Sequence, residues 1–184
     1  MDFKSIAVFC GSKTGNTLMY TQHATELGHL LAEKNILLIY GGGSKGIMGA
    51  VANGVLEKKG QVIGIIPEAL MGWEQHHEGI SELIVVENMH IRKRMMYEKC
   101  DAAIILPGGF GTLDELFEML TWNQLSIHNK HIYILNTAGF YDSLFAHMKK
   151  MIAENFLYSS MEDAFTIVSN PSEIFNPIVH SFTT

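Results

Sequence analysis

Residues 102–115 read Ala-Ala-Ile-Ile-Leu-Pro-Gly-Gly-Phe-Gly-Thr-Leu-Asp-Glu. The run Ala102–Leu106 is apolar without alternation, as expected of a strand buried on both faces in a parallel sheet. A glycine-rich turn follows, and then a helical pattern over Leu113–Leu125. The same order of strand, glycine turn and helix recurs along the chain. Comparable apolar runs are Ile6–Cys10, Ile36–Tyr40, Val62–Ile66, Leu83–Val86 and Ile132–Leu135, with a weaker one at Ala164–Val168. Helical spacing fills Thr17–Glu33, Ile47–Lys59, Met89–Lys99 and Tyr141–Glu154, and Pro171 is expected to open a short final helix. Alternating β and α segments with right-handed crossovers predict one Rossmann-like α/β domain over residues 1–184. Its doubly wound, mostly parallel sheet should have about six to seven strands flanked by helices, making a three-layer sandwich. In such a fold ligands collect outside the carboxyl ends of the strands.

Composition narrows the function. The 184 residues carry a formal net charge of −6, which argues against a nucleic acid polymer as partner and leaves room for a mononucleotide. Two cysteines, Cys10 and Cys100, lie in or beside apolar runs. They imply no disulfide framework, and a reducing cytoplasmic setting is expected. No signal peptide and no membrane-spanning run is read in the sequence. Residues 68–81 form the one stretch without a clear pattern. A long connection after a sheet strand is where substrate contacts tend to sit, and Trp73 is the aromatic residue best placed to touch a ligand.

Three strands end in glycine-rich turns: Gly11-Ser12-Lys13-Thr14-Gly15, Gly41-Gly42-Gly43-Ser44-Lys45-Gly46 and Pro107-Gly108-Gly109-Phe110-Gly111-Thr112. Glycine admits a phosphate close to the backbone, and the helix start that follows offers free N–H donors. Gly11, Ser12, Gly42, Gly43, Gly108, Gly109, Gly111 and Thr112 are therefore the phosphate-binding candidates. Tight βα turns use glycine in any case, so one loop alone says little, and the three together carry the expectation. Gly41, Gly43 and Gly46 also match the G-x-G-x-x-G dinucleotide pattern. However, the nearest acidic residue for a ribose is Glu68, beyond Pro67, which counts against an NAD-type oxidoreductase. The P-loop pattern is absent.

Helical spacing places Met89, Arg92, Lys93, Met96 and Cys100 on one stripe. Two cations on such a stripe read either as a snorkelling surface pair or as an anion clamp, and Arg92 has the fork that suits a phosphate or carboxylate. Thr112 and Glu115 match a capping box, with Thr112 as N-cap. Alternatively, a carboxylate at Glu115, just inside a helix opening on the cleft, stabilises positive charge on a sugar or orients a water. Asp114 and Glu118 read as solvated or as complementing the helix dipole.

Met89-His90-x-Arg92-Lys93 followed by Pro107-Gly108-Gly109-x-Gly111-Thr112-x-x-Glu115 resembles the paired signature of the LOG family. These are cytokinin riboside 5′-monophosphate phosphoribohydrolases, often labelled possible lysine decarboxylases. The likeness extends to Cys10-Gly11-Ser12, the Gly41–Gly49 loop, Pro67 and Thr121-Trp122-x-Gln124-Leu125. The resemblance implies hydrolysis of a purine nucleoside 5′-monophosphate, AMP or an N6-substituted analogue, to free base and ribose 5-phosphate. It implies Arg92 and Glu115 as the catalytic pair, and substrate contacts from Glu74, Arg92, Lys93, Gly109, Phe110, Gly111, Thr112 and Thr121. It further implies a homodimer with cleft walls shared across the interface, and no metal or cofactor. Lys13 stands where the family usually has a small residue, and Trp73 where its plant members often have arginine. Both departures bear on base preference.

The chemistry of a lysine decarboxylase finds no support, because no lysine has a context that singles it out for a Schiff base. The nine histidines lack a Cys or carboxylate partner set for a metal, and the methionines sit at core spacing. Phe117 and Trp122 read as core or interface. The alternative reading is a non-catalytic protein that binds or carries a nucleotide or molybdenum cofactor.

Overall fold

The computed structural model describes residues 3–71, 75–158 and 160–175. Seven strands form one sheet: β1 (Ser5–Phe9), β2 (Leu37–Tyr40), β3 (Val62–Pro67), β4 (Glu82–Val86), β5 (Ala102–Ile105), β6 (His131–Leu135) and β7 (Thr166–Val168). Their order is β4-β3-β2-β1-β5-β6-β7 and every pairing is parallel. The helices are α1 (Leu18–Glu33), α2 (Gly46–Glu57), α3 (Met89–Lys99), α4 (Phe110–Gln124), α5 (Asp142–Ala153) and the short α6 (Met161–Ala164). The strand order reverses between β1 and β5, the switch point at which doubly wound sheets hold ligands.

Successive strand residues face opposite layers, and two cores result. Ile6, Val8, Leu38, Tyr40 and Ile104 pack against Leu27 and Leu31 of α1 and Val51 and Val55 of α2. Ala7, Phe9, Ile39, Ile65 and Ile105 pack against Met96 of α3, Leu116 and Met119 of α4 and Met148 of α5. Burial on both faces is why Ile6–Phe9 of β1 and the whole of β5 are apolar. Met89, expected in the core, lies at the start of α3 and is exposed.

Local chemistry sets the helix ends. Thr17 caps α1 by accepting from Met19 N, and Asn88 caps α3 by accepting from Ile91 N. Four helices close on a left-handed residue that is not glycine: Asn35, Lys59, Ser126 and Asn155. Each closure repeats the Schellman bond pair. After α4, for example, Ser126 N donates to Asn123 O and Ile127 N to Trp122 O.

Two sequence expectations are corrected here. Ala164 belongs to α6, so the last strand starts only at Thr166. α4 starts at Phe110 with Gly109 as N-cap, which places Thr112 inside the helix and removes the capping box. Thr112 is buried instead, and its hydroxyl lies where a Cβ on Gly108 would stand.

Candidate active site

The strand ends at the switch point carry three turns that touch one another. Gly11 N donates to Pro107 O at 3.0 Å, and Met48 N of α2 donates to Gly11 O. The second glycine turn is covered from outside. Ser44 N donates to Gln75 O at 2.8 Å, His77 N donates to Gly42 O at 2.9 Å, and Gly43 bridges His76. Gly42 and Gly43 are buried beneath that pairing. The third turn is different, because a Cβ added at Gly109 or Gly111 would meet nothing within 4 Å. The amino end of α4 thus faces open space, with its positive dipole end turned outward. Phe110, the first residue of α4, is 93% exposed beside it.

Arg92 and Glu115 reach this place from neighbouring helices. Asn88 starts α3 so that Arg92 falls one turn in, and α4 brings Glu115 past its first turn. Arg92 is 8% exposed and Glu115 6%. Nη2 of Arg92 lies 3.8 Å from Oε1 of Glu115, while Nε donates to Ile65 O at 3.0 Å. Gly41 leaves the room: a Cβ there would stand 2.2 Å from Arg92 Nη2. Desolvation offsets most of what a buried ion pair contributes to stability, so a pair retained at a strand-end cleft points to chemistry. Buried Cys10, just after β1, lies near enough for both charges to act on it. Burial pushes its thiol pKa far up, the Glu115 carboxylate adds to that, and the Arg92 guanidinium opposes it. Tyr40, fully buried, has a hydroxyl with no hydrogen-bond partner among the described residues.

Lys93 is buried as well, which excludes the snorkelling reading for both cations. Its ammonium lies 3.0 Å from Asp114 Oδ2 and 2.8 Å from Glu118 Oε2. Burial alone would lower the Lys93 pKa, but hydrogen bonds and charge from Glu118 and Asp114 outweigh it and leave the pKa raised. Asp114 is exposed, in keeping with the solvated position its sequence context suggests, but it also pairs with Lys93, and Glu118 is half-buried rather than solvated. The cue available was the i,i+4 spacing of Asp114 and Glu118 on one helix face. Thr121 does not join the cleft. It lies about 14 Å along α4 from Thr112, with its hydroxyl donated to Phe117 O. It lines a groove of about 430 Å³ with Met148 and Met151 of α5 and with Tyr158. Ser12 is exposed on the rim, and Glu74 and Trp73 lie outside the described residues.

Fold and site together define a Rossmann-like α/β protein with a buried arginine–glutamate pair beside an open helix N-terminus. The family model described as possible lysine decarboxylase matches residues 48–178. The chain is 46% identical over 170 residues to a cytokinin riboside 5′-monophosphate phosphoribohydrolase, LOG2, of Arabidopsis thaliana, covering 92% of this chain and 79% of that protein. It is 45% identical to the probable enzyme LOGL1 of Oryza sativa subsp. japonica, covering 92% and 75%. The chain belongs to the LOG family. Among solved structures it resembles the molybdenum cofactor binding protein of Rippkaea orientalis, with a TM-score of 0.70, 24% identity, and 94% and 93% of the two chains covered. A molybdenum cofactor carrier protein of Chlamydomonas reinhardtii gives a TM-score of 0.70 at 19% identity, over 94% and 93%. At those identities the likeness concerns the fold alone.

Proposed function

We propose that this protein hydrolyses the N-glycosidic bond of a purine nucleoside 5′-monophosphate, with AMP or an N6-substituted AMP as substrate. The carrying observation is the convergence of Arg92 and Glu115 beside the open amino end of α4. The names of the plant relatives support the same reaction. The 5′-phosphate sits at Gly109–Thr112, where backbone N–H groups and the helix dipole favour an anion. Water attacks C1′ as the bond to the base breaks. The bonding electrons leave with the base, which takes up a proton, and ribose 5-phosphate remains. Positive charge develops on C1′ and its ring oxygen, and the Glu115 carboxylate stabilises it or orients the water. Arg92, held by Ile65 O, fixes the carboxylate from the other side.

The glycine turn at 41–46 serves in this reading as a buried support for Arg92 rather than as a phosphate cradle. The protein works as a homodimer, with the exposed Phe117, Leu125 and Ile127 forming part of the contact. In that assembly Thr121 reaches the partner's cleft instead of its own. Incubation of the pure protein with AMP and with N6-isopentenyl-AMP, followed by chromatography of the free base, tests the reaction. A folded dimer that releases base from neither nucleotide ends the proposal.

A further inference from the structure

α3 and α4 meet through a second polar cluster next to the Arg92–Glu115 pair. Lys93 follows Arg92 in sequence and Asp114 precedes Glu115, so cluster and pair are neighbouring rungs of one helix–helix seam. Glu118 accepts from Lys93 Nζ and also from the Tyr97 hydroxyl, at 2.8 Å. Tyr97 is itself fixed, with its ring edge-on to Phe9 at 5.9 Å and to Trp122 at 5.1 Å. The chain Phe9–Tyr97–Glu118–Lys93 thus ties the central strand β1 to both helices. With one ammonium and two carboxylates the cluster carries a net charge of −1.

We propose that Glu118, acting through Lys93 and Tyr97, is a positioning residue for the Arg92–Glu115 pair, and that the negative charge of its cluster tunes the Glu115 carboxylate. The inference rests on the hydrolase reading above. Glu115 faces Arg92 of α3, its charge reaches Tyr97 of α3 and Cys10 just after β1, and Asp114 and Glu118 lie within a turn of it on its own helix. Burial pushes the Tyr97 hydroxyl pKa far up, and the charges of Glu118, Glu115 and Asp114 add to it, so all three carboxylates act on one point of the seam. The placement of Arg92 against Glu115 depends on the register of α3 on α4, which the bonds of Glu118 hold. A misplacement of 1 Å at a reacting centre costs on the order of 100-fold in rate.

Two substitutions separate position from charge. Glu118→Gln removes one negative charge and weakens the tie to Lys93. Its kcat is expected to fall about 10-fold with KM little changed. Loss of that nearby negative charge favours ionised Glu115, so the acidic limb of the kcat–pH profile moves to lower pH. Tyr97→Phe keeps every charge and loses only the bond to Glu118. Its kcat is expected to fall with the acidic limb unmoved. Thermal unfolding of both variants gives the folded fraction. Variants that match the wild-type kcat and pH profile overturn the proposal, as does a loss of activity that tracks the folded fraction alone. A wild-type protein without turnover overturns the hydrolase reading and this inference with it.

Discussion

Nη2 of Arg92 stands 3.8 Å from Oε1 of Glu115, at the edge of ion-pairing distance rather than in a close fork. The backbone holds the guanidinium through Ile65 O, so it does not collapse onto the carboxylate. Glu115→Gln preserves shape and removes the charge. Turnover should fall at least about 100-fold while nucleotide affinity stays within a few-fold, measured by kcat and by equilibrium titration. Undiminished kcat would show that Glu115 serves only the fold. Arg92→Lys should fail to rescue, because an ammonium cannot both donate to Ile65 O and face Glu115.

Gly41 and Gly109 predict opposite outcomes from the same methyl group. A Cβ on Gly41 would stand 2.2 Å from Arg92 Nη2, whereas one on Gly109 meets nothing. Gly41→Ala should lose most of its kcat by displacing the guanidinium. Gly109→Ala should fold and keep its kcat but bind nucleotide more weakly, since the methyl group enters the space assigned to the phosphate. Equal kinetics for the two variants would refute that assignment.

Ser126 closes α4 at φ 57°, a conformation that costs an L-residue about 1 kcal/mol and glycine almost nothing. Ser126→Gly should therefore raise Tm by about 2–4 °C in calorimetry. An unchanged or lower Tm would mean that the serine is held there by something other than backbone geometry.

Asp101 sets an acid limit to stability. Its carboxylate accepts from Lys4 N at 2.8 Å and Ser5 N at 3.0 Å, joining the start of β1 to the turn before β5. Burial raises its pKa, but the backbone bonds from Lys4 and Ser5 outweigh this and hold it below the ordinary 3.8. A carboxyl group with a lowered folded-state pKa stabilises above its unfolded value and loses that contribution as pH falls through the folded one. Asp101→Asn should be less stable than wild type in urea at pH 7, with the gap closing as pH drops below 3.8. A gap independent of pH would rule out the charge as its source.

The architecture was legible because two-sided burial writes the inner parallel strands as apolar runs, and Met89–Lys99 is a helix at both predicted ends. What failed was local. Thr112 looks like an N-cap by residue type, yet the chain turns helical three residues earlier, and the threonine packs against Gly108 instead. Lys93 was legible as a notable cation but its partners were not. They sit on the next helix, 21 residues away for Asp114, and no period within one element encodes that contact. The three glycine turns look alike in sequence, and only the pairing of Gln75–His77 over the second distinguishes it from the open third.

The pairing of β1 with β5 joins Ile6 to Ala102 across more than half the chain. A nascent polypeptide leaving the ribosome has its central strand long before that strand's second neighbour. The β1–β4 half must wait with one flank of β1 uncovered until residues 102–105 emerge. Closing so distant a contact is slow, and a fragment ending after α3 should expose the Ala7–Phe9 face and aggregate. The same delayed seam assembles the cleft, since Glu115 arrives only after β5 has docked.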